Sequence, residues 1–235
     1  MTTSNSTLVS VVMPAYNADS YIVESIQSVL NQTYHNFELL VVDNCSSDHT
    51  VDFVRKLQKK DDRIRVLTCL NSGASFARNT GISNALGRYV AFIDCDDIWD
   101  EEKLSAQISF MKEYGATISC THYQPFTDCP NTGKNYKSIR KCPESFGYGE
   151  LLKTCSVGCS TVIYDRDILT NVRFDDVGKE DYALWLKITK DGVRFFSLSR
   201  ALTKYRIHSS SLSSNKFKEI KRQWYIYRHI EAILV

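Results

Sequence analysis

The sequence predicts an α/β fold built on a mixed, mainly parallel sheet flanked by helices. Three observations predict it: four short apolar runs of strand length before residue 100, helical-period segments between them, and polar or acidic residues where three of the runs end. Strand and helix alternating at that spacing imply right-handed crossovers and parallel neighbours. Ligands of such sheets lie beyond the carboxyl ends of the strands. Those ends carry Pro14-Ala15-Tyr16-Asn17, Asp43-Asn44 and Asp94-Cys95-Asp96-Asp97.

LVSVVM, residues 8–13, is the first strand, ended by Pro14. From Ser20 to Leu30, Ile22, Ile26, Val29 and Leu30 recur at helical spacing, with Ser20 as N-cap and Glu24 in the first turn. FELLVVD (37–43) is the second strand, and NCSSDHT opens a helix bearing Val51, Val54 and Leu57. RIRVLTC (63–69) is the third, followed by the loop NSG and a helix from Ala74 to Ala85 with Gly87 as its C′ residue. RYVAFID is the fourth, and a helix spans about Asp100 to Tyr114. ATISCTHY (116–123) and CSTVIYDR (159–166) read as strands. The polar stretch between them, with Lys134, Lys137, Arg140 and Lys141, reads as a solvated loop or a phosphate-facing flap. KEDYALWLKITKDG is a helix ending at Gly192, and VRFFSLS a strand.

Composition excludes some classes. With 235 residues, 43% apolar and 24% charged, the chain can bury a sizeable core. A formal net charge of +2 gives no reason to expect a nucleic-acid partner. No run of about 18 apolar residues suits a membrane span, and MTTSNSTLVS lacks the basic and apolar regions of a secretory signal. The expected location is cytoplasmic. The eight cysteines form no metal-ligand pattern and read as reduced, small apolar residues.

The run RYVAFIDCDDIW drives a strand straight into three carboxylates. If the strand continues, Asp94 and Asp96 share one side and Cys95 faces the other. Carboxylates so placed repel and raise each other's pKa unless a cation lies between them. Oxygen donors of this kind suit Mg²⁺ or Mn²⁺, which keep waters and bridge to substrate phosphates. The competing reading is that Asp97 and Asp100 favour the following helix N-terminus.

VSVVMPAYNADSYIVESIQSVLNQTYHNFELLVVDNCSSDHT, GASFARNTGISNALGRYVAFIDCDDIW, KEDYALWLKI and YRIHSSSLS, in that order, resemble glycosyltransferase family 2 enzymes of GT-A fold. Within that family the chain looks similar to bacterial enzymes of teichuronic-acid and O-antigen assembly. The resemblance implies a catalytic domain over 1–213, with a nucleotide-binding half (1–99), an acceptor-binding half (100–213) and a basic aromatic helix over 214–235. It implies a metal-dependent, inverting transfer of a hexose, glucose or galactose by analogy, from a UDP-sugar to an oligosaccharide or lipid-linked acceptor.

The resemblance also distributes roles. Pro14, Ala15, Tyr16 and Asn17 would border the base, with Tyr16 stacking on it, and Asp43 would accept a hydrogen bond from base or ribose. Gly73, Arg78 and Asn79 would line the nucleotide-sugar, Arg78 meeting a phosphate or holding the acidic loop. Asp94 would face the ribose, Asp96 would ligate Mn²⁺ or Mg²⁺ with Asp94 and His208 alongside, Cys95 would sit between them, and Asp97 would support. Asp181 would be the general base and Glu180 its orienting partner. Against these stand duller readings: Tyr16 as a core plug, Asp43 as a turn opener, Arg78 in a surface ion pair, both acids favouring a helix N-terminus, and His208 as a surface residue.

The tail carries Phe217, Ile220, Trp224, Tyr227 and Ile230 on one helical side, with Lys216, Lys218, Lys221, Arg222 and Arg228 among them. That fits an interfacial helix on the anionic inner face of the cytoplasmic membrane. It fits equally a helix packed on its own domain or on a second subunit in a homodimer. A dinucleotide oxidoreductase fares badly, because PAYNADS follows strand one where G-x-G-x-x-G is needed. A nucleotidyltransferase lacks its Gly- and Lys/Arg-rich phosphate loop there. A non-catalytic sugar-nucleotide or membrane-binding module stays open.

Overall fold

The computed structural model describes residues 7–129, 133–208 and 216–231. One sheet organises them, in the order β3-β2-β1-β4-β9-β6-β10-β5. β1 (Val9–Ala15), β2 (Phe37–Asp43), β3 (Ile64–Thr68) and β4 (Tyr89–Phe92) are mutually parallel, with Val9 opposite Phe37 and Ala15 opposite Asp43. α1 (Ile22–Leu30), α2 (Thr50–Gln58) and α3 (Ala74–Asn84) are the crossovers. Because β1 is central, its side chains are buried on both faces. Val9, Val11 and Met13 pack with α1 and with Leu104, Ile108 and Met111 of α4 (Lys103–Tyr114). Val12 joins Phe92, Trp185 and Tyr182 on the other face, under α6 (Glu180–Lys190).

The second half departs from a purely parallel order. β6 (Ile118–Cys129) lies parallel to β10 (Phe195–Arg206), while β9 (Ile163–Asp165) runs antiparallel between β4 and β6. β5 (Ile98–Trp99) closes the far edge against β10. Strand β10 ends at Arg206, so it delivers Arg206 and His208 to the end of the sheet where Asp94–Asp97 leave β4.

Several expectations are corrected. α1 starts at Ile22, with Tyr21 rather than Ser20 at its N-cap. Gly87 is not a helix C′ residue, since α3 stops at Asn84; a Cβ there would stand 2.6 Å from the Leu8 carbonyl, so glycine permits the close approach to β1. The polar stretch expected as a loop contains the end of β6, its hairpin partner β7 (Gly133–Tyr136), β8 (Ser145–Phe146) and α5 (Tyr148–Lys153). Cys159–Thr161 form a 3₁₀ turn, leaving only three strand residues in CSTVIYDR.

The tail forms α7 (Lys216–Tyr225) continued by a π-type turn, Ile226–Ile230. Residues 214, 215 and 232–235, and the side chains of Lys216, Phe217, Lys218 and Ile230, lie outside the described set. The expected single stripe is divided. Ile220 and Trp224 are exposed, at 66% and 51%, whereas Ile226 is fully buried and the Tyr227 hydroxyl donates to Leu152 O at 2.6 Å. The i→i+5 turn breaks the 3.6-residue period on which the stripe rests. No helix among the described residues is long and apolar enough to cross a membrane.

Candidate active site

Three strand ends and one helix start converge. Pro14 and Ala15 are strand residues with buried side chains, so only their backbone borders the site; the Ala15 carbonyl accepts Asn44 N–H at 2.8 Å. Tyr16, the next residue, is 61% exposed, which removes the core-plug reading and leaves a flat aromatic face available. Asn17 has φ +46°, a left-handed conformation that asparagine tolerates, and its Oδ1 accepts the Ser47 N–H at 2.8 Å. The Asp43 carboxylate caps the same turn, accepting Ser46 N–H at 3.2 Å.

Asn44 holds the opposite wall. Its Oδ1 accepts Gly73 N–H at 2.7 Å and its Nδ2 donates to Asn71 O at 2.6 Å. Gly73 has φ +132°, which a side chain at that position rarely adopts. Asn79, expected at the nucleotide, is engaged elsewhere. Both ends of its amide bond the Phe174 backbone, at 2.8 and 2.9 Å, so its polar atoms are spent on holding that segment.

The acidic loop is a turn and not a continued strand, so the alternation argument does not apply to it. Each acid has its own partner. Asp94 accepts Arg78 Nη2 at 2.7 Å; Asp96 lies 2.8 Å from His208 Nε2; Asp97 accepts the Arg206 backbone N–H at 3.0 Å. Cys95 turns its side chain toward the α1 core, and its carbonyl accepts Ser25 Oγ at 2.8 Å. Asp97 is fully buried, and burial followed by the Asp96 and Asp94 charges holds its carboxyl well above the usual carboxylate range. A neutral Asp97 suits its place in the interior. It braces the loop and does not cap α4; Asp100 bonds Glu102 N–H just ahead of that helix, whose end carries no side-chain cap.

Arg78 is buried rather than in a surface ion pair, and it holds the acidic loop as the second of its two expected roles had it. Its second nitrogen meets Glu180 Oε1 at 2.6 Å, so one guanidinium joins the acidic loop of β4 to the start of α6. Asp181, beside Glu180, accepts Tyr182 N–H at 2.7 Å. Burial, then the neighbouring Glu180 charge, pushes its carboxyl up to about 7, against the pull of Arg78. A carboxyl in that range exchanges protons readily near neutrality, which suits a general base.

Sequence reasoning missed Arg206 as the hub of the loop, although the R-x-H pair was in view. Its Nε donates to Asp96 O at 2.7 Å, its terminal nitrogens meet Glu24 at 2.5 Å and Asp128, and its plane lies over Tyr21 and Phe126. Tyr21 in turn stacks on His208, centroids 5.1 Å apart. Five residues remote in sequence are needed to make that hub, and no local pattern marks them.

The donor set can be tested against a divalent cation. Asp96 offers an oxygen and His208 a nitrogen within 2.8 Å of each other. Burial, then repulsion from Asp94, raises the Asp96 carboxyl, the signature of an acid short of positive charge. Asp94, expected as a further ligand, is engaged by Arg78. Among the described residues no three His, Cys, Asp or Glu side chains gather closely enough to enclose an ion. Two protein donors with the remaining positions left to substrate phosphate and water fit Mn²⁺ or Mg²⁺, which seldom occupy all-protein cages.

The fold and the acidic loop facing a carboxylate helix start define a GT-A glycosyltransferase. Residues 10–172 match the model "Glycosyl transferase family 2", and the chain belongs to that family. It is 39% identical over 228 residues to a Bacillus subtilis protein named as the teichuronic acid biosynthesis glycosyltransferase TuaG, covering 96% of this chain and 89% of that one. It is 45% identical over 219 residues to the Escherichia coli UDP-Glc:alpha-D-GlcNAc-diphosphoundecaprenol beta-1,3-glucosyltransferase WfgD, covering 92% and 84%. Among solved structures, S. aureus TarS 1-349 with UDP-GlcNAc superposes with TM-score 0.72 at 25% identity, over 88% of this chain and 60% of that one. The chain thus spans about 60% of that fragment's length. A Pyrobaculum calidifontis mannosyltransferase in complex with GDP-Man and Mn²⁺ shares the fold, TM-score 0.73 at 17% identity over 97% and 65%.

Proposed function

We propose that this enzyme transfers a hexose, glucose or galactose, from a UDP-sugar to a lipid-linked sugar acceptor in bacterial surface polysaccharide assembly, with inversion at the anomeric carbon. The observation that carries the reading is the Arg78 bridge. It fixes Asp94 and Glu180 on one guanidinium, so that their neighbours Asp96 and Asp181 remain the working carboxylates. Two relatives use UDP-Glc and an alpha-D-GlcNAc-diphosphoundecaprenol acceptor by name, which supports the donor and acceptor classes.

The uracil stacks on Tyr16, and Asp43 and Asp94 border the ribose. Asp96 and His208 hold the divalent cation. When bound, that cation stabilises the negative charge that a departing UDP accumulates. Asp181 takes the proton of the attacking acceptor hydroxyl, within hydrogen-bond reach and from the face opposite the leaving group. Glu180, held by Arg78, keeps its neighbour in place.

The outward face of α7 supports a membrane-side acceptor. Ile220, Trp224 and Tyr225 are exposed, with Lys221 and Arg228 beside them, an apolar and basic pairing suited to an anionic lipid surface. The inward face is committed to the protein, so the helix rides on the domain while facing lipid.

The deciding experiment is UDP release from UDP-glucose, UDP-galactose and their N-acetylated forms, with a synthetic GlcNAc-diphospholipid in vesicles, with and without Mn²⁺. Transfer from one hexose donor, lost on chelation, is expected. No release from any UDP-sugar would defeat the reading. Sedimentation with phosphatidylglycerol vesicles should fall when Trp224 and Ile220 are replaced by Ser; equal sedimentation defeats the membrane arm.

A further inference from the structure

The start of α6 is held in an uncommon backbone state. Lys179, its N-cap residue, sits at φ +62° and ψ +50°, with no side-chain cap hydrogen bond on the helix end. A left-handed lysine is costly and persists only where its surroundings over-determine it. Beside this loop lies an open pocket of about 150 Å³, lined by Ala74, Ser75, residues 176–180 and Arg222 of α7.

The loop is held from α3, by Ser75 on Asp176 and Arg78 on Glu180, and at Lys179 and Gly178 by contacts from α7. Lys179 Nζ donates to Gln223 Oε1 at 2.8 Å. The Arg222 stem lies on Gly178 so closely that a Cβ there would stand 2.6 Å from Arg222 Cγ. α7 is itself anchored further along. The Tyr182 hydroxyl donates to the Tyr227 hydroxyl at 3.2 Å, and the buried Glu231 accepts Tyr148 OH at 2.5 Å and Lys190 Nζ at 2.9 Å. Release of α7 would free Gly178 and Lys179 from Arg222 and Gln223, and with them the left-handed turn that sets Glu180 against Arg78.

We propose that α7 braces the catalytic loop, with Gln223 and Arg222 as positioning residues for Glu180 and Asp181. The inference rests on the reading of Asp181 as the base. It gives the tail a second role. The helix that faces the lipid also sets the geometry of the carboxylate that receives the acceptor's proton, so acceptor side and chemistry are mechanically joined.

The test uses the full chain, with UDP release for turnover and calorimetry for UDP affinity. Gln223→Ala should lower kcat at least about tenfold, the order expected for a misplaced catalytic group, while UDP affinity changes by less than about twofold. Gln223→Glu, which restores an acceptor for Lys179, should recover most of it. Gly178→Ala, which must push Arg222 away, should repeat the kcat loss without the UDP change, and guards against one variant failing to fold. Undiminished turnover in Gln223→Ala and Gly178→Ala, or UDP affinity falling in step with turnover, overturns the brace. Asp181→Asn separates the two readings. An active Asp181→Asn overturns the base assignment, whereas an inactive one beside a fully active Gln223→Ala overturns the brace alone.

Discussion

Two acidic pairs meet at Arg78, and each is divided in the same way. In the β4 loop Asp94 goes to Arg78 and Asp96 is left; at the start of α6 Glu180 goes to Arg78 and Asp181 is left. The difference lies in what compensates the remaining acid. Asp96 has an imidazole at 2.8 Å, which favours its charged form. Asp181 has a helix N–H and the pull of Arg78, outweighed by burial and the Glu180 charge, so its charge is costly and its proton is held until about pH 7. One pair is built to hold charge, the other to exchange a proton.

Asp181→Asn gives the largest expected effect. Losing the proton acceptor should cost roughly 10²–10⁴ in transfer, with UDP binding intact by calorimetry. A turnover near wild type would erase the distinction between the pairs. Asp96→Ala should come next, with a loss of roughly 10²–10³ and, unlike Asp181→Asn, no gain in UDP affinity on adding Mn²⁺. If the two variants respond alike to Mn²⁺, the division of labour is wrong.

Much of this division could be read in the sequence, and the part that could not has a physical cause. The strand ends that carry Tyr16, Asp43 and Asp94–Asp97 follow from local periodicity, because apolar runs of six or seven residues can only be buried strands here. The pairing of Arg78 with both Asp94 and Glu180 could not be read. It joins residues 16 and 102 positions apart, and a guanidinium looks the same in sequence whether buried or exposed. Asn79 misled for a related reason, since its neighbour Arg78 faces the acids while Asn79 faces the Phe174 backbone. The split of the α7 stripe was hidden by the π-type turn, which has no clear sequence mark.

Arg78→Ala removes what the two pairs share. Leaving two buried or half-buried acids without their cation should destabilise the fold by about 3–5 kcal/mol, as breaking a buried ion pair does, measured by urea unfolding. Arg78→Lys keeps the charge but cannot reach both acids with a planar fork. It should retain most of the stability yet lose turnover, because only one of the two loops can then be held. Equal turnover in Arg78→Lys and wild type would mean that the bridge stabilises the domain without registering the two acids against each other.

The smallest effect is the most specific to Asp181. Its folded pKa, about 7, lies above the ordinary carboxylate value of 3.8, so between those pH values the native state holds a proton that the unfolded chain has released. Stability contributed by that proton is present at acid pH and is lost as pH rises toward 7. Activity runs the other way, since only the ionised carboxylate accepts a proton, so kcat/KM should climb through about pH 7. Asp181→Asn should therefore gain stability relative to wild type as pH is raised from 5 to 8 in paired urea titrations, while wild-type turnover rises over the same range. A stability difference that stays flat would show that the cleft hydrates Asp181 enough to cancel its burial, and then Asp181 and Asp96 would no longer differ in the way their charge is compensated.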